Sequence, residues 1–204
     1  QTPSQAHPKM FQNPPGIDYY QFKKQENVIP QIPPVEVKQQ QDTGIKINLK
    51  SLIILAPKEL QNIIDKEKYY KMTIGVPQSI NDLYNLAYEI ERDFNEKGYP
   101  LVRVILPVQE LEPEQASVFF KVIDGFIEKV DLSKVPKAQT LRTYAYLKPL
   151  INKKNMTLKL LERQLLLASN SAGLTLTSSL IPGVKEGSTR LVIEAKHKLL
   201  SGGI

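Results

Sequence analysis

Gly98-Tyr99-Pro100-Leu101-Val102-Arg103-Val104-Ile105-Leu106-Pro107 and Gly173-Leu174-Thr175-Leu176-Thr177-Ser178-Ser179-Leu180-Ile181-Pro182 have the same length and the same end residues. Each is an apolar, strand-like run opened by a glycine and closed by a proline. Upstream of each lies a helical pattern. Ile80, Leu83, Leu86, Ile90 and Phe94 recur at steps of three and four, and so do Leu158, Leu161, Leu165 and Ala168. An offset of 75 superposes Leu83 on Leu158, Leu86 on Leu161, Ile90 on Leu165 and Gly98 on Gly173. Past the closing prolines the offset drops to 70, and Val122-Ile123-Asp124 falls on Val192-Ile193-Glu194. The second copy therefore has a shorter hairpin loop. Self-similarity at this period means two copies of one small module.

The rest of each copy follows from local patterns. Ile45-Lys46-Ile47-Asn48-Leu49 alternates with period two and runs into Leu52–Leu55, which predicts a strand. Pro57 suits the first position of a helix carrying Leu60, Ile63 and Ile64, followed by a connection holding Tyr69 and Tyr70. Ser79 and Asp82 stand at capping-box spacing and start a second helix. Gly98 ends it. Leu101–Leu106 and Val118–Ile123 are the following strands. The second copy reads as a strand over Phe126–Leu132, helices over Leu141–Leu150 and from Leu158 to Gly173, then strands over Leu174–Ile181 and Leu191–Ala195. The order is strand, helix, helix, strand, strand, twice. Each copy has about 75–80 residues, enough for one sheet packed on two helices.

Composition sets the flanks. Residues 1–43 hold seven of the 15 prolines and scattered apolar residues, which predicts an extended arm rather than a packed unit. A short helix around Tyr19–Gln25 is compatible with the pattern. The net charge is +6 and the pI near 9.3. The lysines are interleaved with Glu and Asp, as on a solvated surface. No apolar run approaches the ~20 residues of a membrane helix.

Strand–helix–helix–strand–strand resembles the POTRA module (polypeptide-transport-associated domain). The first copy is similar to the version in two-partner-secretion transporters, the haemolysin and filamentous-haemagglutinin exporters of the BamA-like superfamily. That version has a Leu/Ile-rich second helix, Gly-Tyr, a strand ending Leu-Pro-x-Gln-x-Leu, and a strand closing Val-x-Glu-Gly-x-Ile. Here Gly98-Tyr99, Leu106-Pro107-Val108-Gln109-Glu110-Leu111 and Val122-Ile123-Asp124-Gly125-Phe126-Ile127 stand in that order. Glu112-Pro113-Glu114-Gln115 lacks the glycine usual in that hairpin. The arm has too many prolines for the long plug helix of some relatives.

The resemblance implies an α+β fold of two tandem modules, each a three-stranded mixed sheet on two helices. The implied layout is an arm over 1–43, modules over 44–124 and 125–200, and the start of a barrel region, or the end of the piece, at 201–204. It implies a periplasmic location at the outer membrane, a C-terminal β-barrel in the same protein, and an unfolded secreted exoprotein as client, bound through its N-terminal secretion domain. A monomer is expected. The alternative is a POTRA-type docking scaffold for envelope or cell-division proteins.

Sheet edges present unpaired N–H and C=O groups to an extended chain. In POTRA relatives the second strand of each module lies at an edge. The expected client-binding residues are therefore Leu101, Val102, Arg103, Val104, Ile105 and Leu106, and Leu174, Thr175, Leu176 and Thr177, with Arg103 facing the client. Proline at Val104 is expected to weaken export with the fold intact. Asp124 and Gly125 mark the module junction, as a hinge or as a turn relieved by glycine. Tyr69, Tyr70 and Tyr99 read as an aromatic groove or as a cap on the core.

Chemistry is sparse. There is no cysteine, and the two histidines are His7 and His197. Neither has metal-ligand spacing around it. No phosphate-binding glycine motif occurs. The acidic pairs Glu89/Glu91 and Glu112/Glu114 read as solvated surface. Phe119 and Phe120 are adjacent and point to opposite faces of a strand, so they form no stacking platform for nucleic acid. The expectation is a binding protein without catalytic residues, metal, cofactor or nucleic-acid partner.

Overall fold

A computed structural model describes residues 44–196 and the backbone of a two-residue strand, Pro30–Gln31. The readings of the remaining arm, of His7 and His197, and of residues 201–204 lie outside the described residues. The described chain forms two compact units. Residues 44–124 make the first; residues 125–196, with Pro30–Gln31, make the second.

In the first unit, β2 is Leu49–Leu55, α1 Lys66–Thr73, α2 Ile80–Glu96, β3 Arg103–Ile105 and β4 Ala116–Ile123. The sheet order is β2-β4-β3, with β2 parallel and β3 antiparallel to β4. The buried phase of the first strand changes along its length: Ile47 and Leu49 are buried, then Leu52 and Ile54. An extra residue reconciles the two phases. Leu49 pairs with Ala116 and Ser51 with Ser117, leaving Lys50 as a bulge.

α2 packs Leu83, Leu86, Ala87, Ile90 and Phe94 onto the sheet. Each such burial contributes roughly 1.5–3 kcal/mol for the larger side chains. The Ser79 hydroxyl accepts the Asp82 N–H at 3.0 Å, and Asp82 accepts the Ser79 N–H at 2.8 Å, so the capping box is complete. Gly98, at φ +95°, turns the chain out of the helix.

The first helix departs from expectation. Pro57 introduces only a 3-10 turn, Lys58–Leu60, and the helix lies in the segment read as a connection. Asp65 decides this, because its carboxylate accepts the Glu67 N–H at 3.1 Å and caps a helix starting at Lys66. Leu60 and Ile64 are buried from the turn instead. Tyr69 is fully buried and its hydroxyl donates to Asp93 on α2. Tyr70 and Tyr99 pack against the same core. The tyrosines close the core and form no groove.

In the second unit, β5 is Phe126–Lys134, α3 Lys137–Leu147, α4 Leu158–Ala172, β6 Thr175–Pro182 and β7 Ser188–Lys196. β5 runs parallel and β6 antiparallel to β7, repeating the first topology. The loop from β6 to β7 is shorter than that from β3 to β4, as the change of offset requires. Gly173 ends α4 in the left-handed region at φ +62°. The expectation of three strands is exceeded here: Pro30–Gln31, designated β1, pairs in parallel outside β6, and the sheet order is β1-β6-β7-β5. A long edge strand attracts any extended backbone, and a segment of the arm meets it.

Asp124 and Gly125 join the last strand of the first unit to the first strand of the second. Among the described residues the left-handed glycines are Gly44, Gly75, Gly98, Gly173 and Gly187. Gly125 is not among them, so no left-handed turn accounts for a glycine there.

Candidate functional site: the two sheet edges

The second strand of each module takes an outer position among that module's own strands, β3 in one, opposite β2, and β6 in the other, opposite β5. The two edges differ in length and in what meets them.

β3 has three residues. Pro100 and Pro107 bracket it, and neither has an N–H to give to a ladder. Leu101 and Val102 precede the strand and are 4% and 2% exposed, so they belong to the core rather than to a client face. Val104 is also buried, Leu106 packs against the core, and Arg103 and Ile105 are half-buried. The outward N–H of Val104 is not offered to a partner. It donates to Glu91 Oε1 on α2 at 3.1 Å. Arg103 Nη1 lies 3.8 Å from the other carboxylate oxygen. Arg103 thus faces a helix residue of its own module.

Glu91 is 4% exposed, which corrects the reading of Glu89/Glu91 as a surface pair. Burial pushes its carboxyl above the usual range; Arg103 and the Val104 N–H pull the other way. The Tyr88 hydroxyl is pushed up to about 12, first by burial and then by the Glu91 charge. The signal for Glu91 was present in its spacing. It stands four residues after Ala87 and three before Phe94, on the flank of the apolar stripe.

Past β3, a side chain continues the ladder. The Gln109 amide donates to the Phe119 carbonyl at 2.9 Å, and its oxygen accepts the Phe119 N–H at 3.0 Å. The same amide nitrogen donates to the Pro107 carbonyl at 3.0 Å. Gln109 therefore does beside β4 what a backbone peptide would do, at a place where Pro107 prevents it. This supplies a physical reason for glutamine in the Leu-Pro-x-Gln-x-Leu segment.

β6 is longer, with eight residues paired to β7 from Thr175–Lys196 to Pro182–Thr189. Leu176, Ser178 and Leu180 face inward; Thr175, Thr177 and Ser179 are half-buried on the other face. Leu174 lies just before the strand, and its carbonyl accepts the Ser169 hydroxyl at 2.8 Å. The hairpin beyond β6 is tied to β5 through Glu128, which accepts Arg190 Nε at 3.0 Å and the Val184 N–H at 3.2 Å. These two donors, Arg190 foremost, hold its carboxyl below the usual range.

A groove of about 370 Å³ also opens beside α1 and α2, lined by Met72, Val76 and Leu86 with Asp82 and Glu89. Nothing in the sequence pattern had marked it. Among the described residues no helix is long and apolar enough to cross a membrane.

No family model matches the chain, and no curated protein matches it. Solved structures do. CdiB from Escherichia coli superposes at a TM-score of 0.58 over 88% of this chain, at 15% identity. CdiB from Acinetobacter baumannii superposes at 0.51 over 88%, at 16% identity. POTRA1-3 of the periplasmic domain of Omp85 from Anabaena matches 76% of this chain at 0.48 and 16% identity. The chain covers 32% and 36% of the two CdiB chains. Element order and sheet topology agree with the likeness to the two CdiB chains, and the fold is two tandem modules of the POTRA-type order β-α-α-β-β, each with its second strand at an outer position among its own strands.

Proposed function

We propose that this chain is the periplasmic client-recognition portion of an outer-membrane transporter of the two-partner-secretion kind. Its client is an unfolded exoprotein, which passes on through a β-barrel elsewhere in the same protein. The observation that carries this reading is the placement of β3 at the edge of its sheet and of β6 outermost among its module's own strands, with only Pro30–Gln31 beyond it. It is supported by the likeness to CdiB, a two-partner-secretion transporter, over most of the chain. The mechanism is strand addition. Main-chain hydrogen bonds hold an extended polypeptide with little demand on its sequence, and release it residue by residue. No bond is made or broken, and no cofactor enters.

Within that reading the two edges are unequal. β6 supplies the longer ladder, so capture centres on Thr175–Pro182. In the first module the Val104 donor is already occupied, and its contribution comes from side chains around Arg103 and Ile105. The test is a titration of the isotopically labelled chain with the unfolded secretion domain of the exoprotein encoded beside it. The largest amide shifts are expected within Thr175–Pro182, with smaller ones at Arg103–Ile105. Absence of binding, or shifts confined to residues outside both sheets, overturns the proposal. Binding of a folded envelope protein instead would favour a docking scaffold.

A further inference from the structure

The outer edge of β6 already carries a strand. Pro30 stands opposite Ser178 and Gln31 opposite Ser179, in parallel. Only two of the eight residues of β6 are covered. No described strand pairs on that side with Thr175–Thr177 or with Leu180–Pro182.

On its C-terminal side the pairing ends for a chemical cause in the sequence. Alternate residues of a parallel strand direct their N–H and C=O groups at the neighbour. If residues 30, 32 and 34 face β6, Pro30 and Pro34 bring no donor. If residues 29, 31 and 33 face it, Pro33 brings none. Past Gln31 either phase meets a proline, so the pairing cannot lengthen toward Leu180–Pro182. A proline-poor segment in the same place meets no such stop.

The first module provides the contrast. The outward donor of β3 is taken by Glu91, a side chain fixed on a helix of the same module. That block moves only if the module itself rearranges. β6 is met instead by a short stretch of backbone from about 150 positions upstream in the chain. Such an occupant can leave without disturbing the β6-β7-β5 sheet. A bare eight-residue edge is also a template for pairing between copies of a protein, and even a weak occupant suppresses that.

We infer that the outer edge of β6 is an acceptor site for an extended peptide in parallel orientation, and that Pro30–Gln31 is its resident, exchangeable occupant. The ligand class is a proline-poor segment with alternating apolar and hydroxyl-bearing residues. The alternation follows from β6, where Leu176 and Leu180 lie on the inward face and Thr175, Thr177 and Ser179 on the other. The inference deepens the strand-addition reading above, but its test uses no exoprotein. A failed secretion-domain titration beside a successful peptide exchange would remove the transport reading alone.

The experiment uses the whole chain, which contains no cysteine. In a variant carrying both Gln31→Cys and Ser179→Cys, mild oxidation is expected to give an intramolecular disulfide in most molecules. A control with Gln31→Cys and Thr175→Cys is expected to give less than a tenth as much. The probe is a fluorescent peptide of the sequence 26–35 with threonine at its three proline positions. It should bind the reduced variant and lose at least 10-fold in affinity for the oxidised one. It should also bind at least 10-fold more tightly to a Gln31→Pro chain, in which the resident strand has lost its remaining donor. Equal cross-linking in the two cysteine pairs overturns the resident strand. Peptide binding that ignores both the disulfide and Gln31→Pro, or no binding to any form, overturns the acceptor site.

Discussion

The Glu91 carboxylate accepts the Val104 N–H at 3.1 Å, joining the middle of α2 to the outer edge of β3. A buried acid thereby occupies the hydrogen-bonding position that an incoming strand would need. It also turns an edge strand of three residues into part of the core, because Val104 is itself buried.

Glu91→Ala should destabilise the first module by about 1–3 kcal/mol, since the Val104 N–H is left buried and unpaired. Glu91→Gln keeps an acceptor and should lose less. Urea unfolding of the three proteins measures the order. Equal stability of all three would sink the assignment.

Val104→Pro has a consequence opposite to the one expected from the sequence. The substitution removes the donor to a buried carboxylate, not a spare edge group. Stability of the first module should drop by roughly 2 kcal/mol or more, with loss of α2 and β3 amide protection. Reduced export by this variant would then report misfolding. Hydrogen exchange resolved by residue is the check.

The stability of the first module should also depend on pH through Glu91. Its folded-state pKa is raised above the ordinary 4.5, so the folded form binds the proton more tightly than the unfolded form. The group's contribution is most favourable below 4.5 and declines as pH rises through the raised value. Glu91→Gln should remove this component, which a difference between the pH-stability profiles of the two proteins would reveal. Parallel profiles from pH 4 upward would contradict it.

Gln109→Leu removes both strand-like bonds to Phe119 and should cost about 1–3 kcal/mol. Exchange at the Phe119 amide should quicken markedly while β6 and β7 stay unchanged. Gln109→Glu keeps the acceptor and loses the donor, so Phe119 should remain partly protected.

Gly183→Ala tests the tie between hairpin and sheet in the second module. An added Cβ would lie 2.2 Å from Ser188 Oγ and 2.7 Å from Glu128 Oε1. The Ser188 hydroxyl bonds the Lys185 carbonyl at 2.6 Å and has little room to yield. A loss of about 1–3 kcal/mol is expected. Thermal unfolding of the variant at wild-type temperature would show that the turn accommodates the methyl.

Periodicity made most of the architecture legible. Leu83, Leu86, Ile90 and Phe94 announce α2 whatever surrounds it, and Ser79, Asp82, Gly98 and Gly173 mark helix ends by local chemistry alone. The same reasoning misplaced α1. Leu60, Ile63 and Ile64 look like a helical face, but Leu60 and Ile64 are buried from a turn and Ile63 only partly, while the Asp65 cap starts the helix later. Pro100 and Pro107 were visible as brackets, yet a shortening of β3 to three residues depends on where β4 runs beside it.

The sequence by itself determined the tandem repeat, the order of elements in each copy and the proline-poor or proline-rich character of each segment. These are properties of neighbours along the chain: side-chain period, caps and backbone donors present or missing. Only the tertiary structure decided which edge is occupied and by what. Glu91 meets Val104 across 13 positions and Pro30 meets Ser178 across 148, and hydrogen bonds between such distant groups leave no period in the sequence. Two segments alike in length and ends, Gly98 to Pro107 and Gly173 to Pro182, thus became unlike edges, one sealed by a buried acid and the other carrying a short strand of the arm.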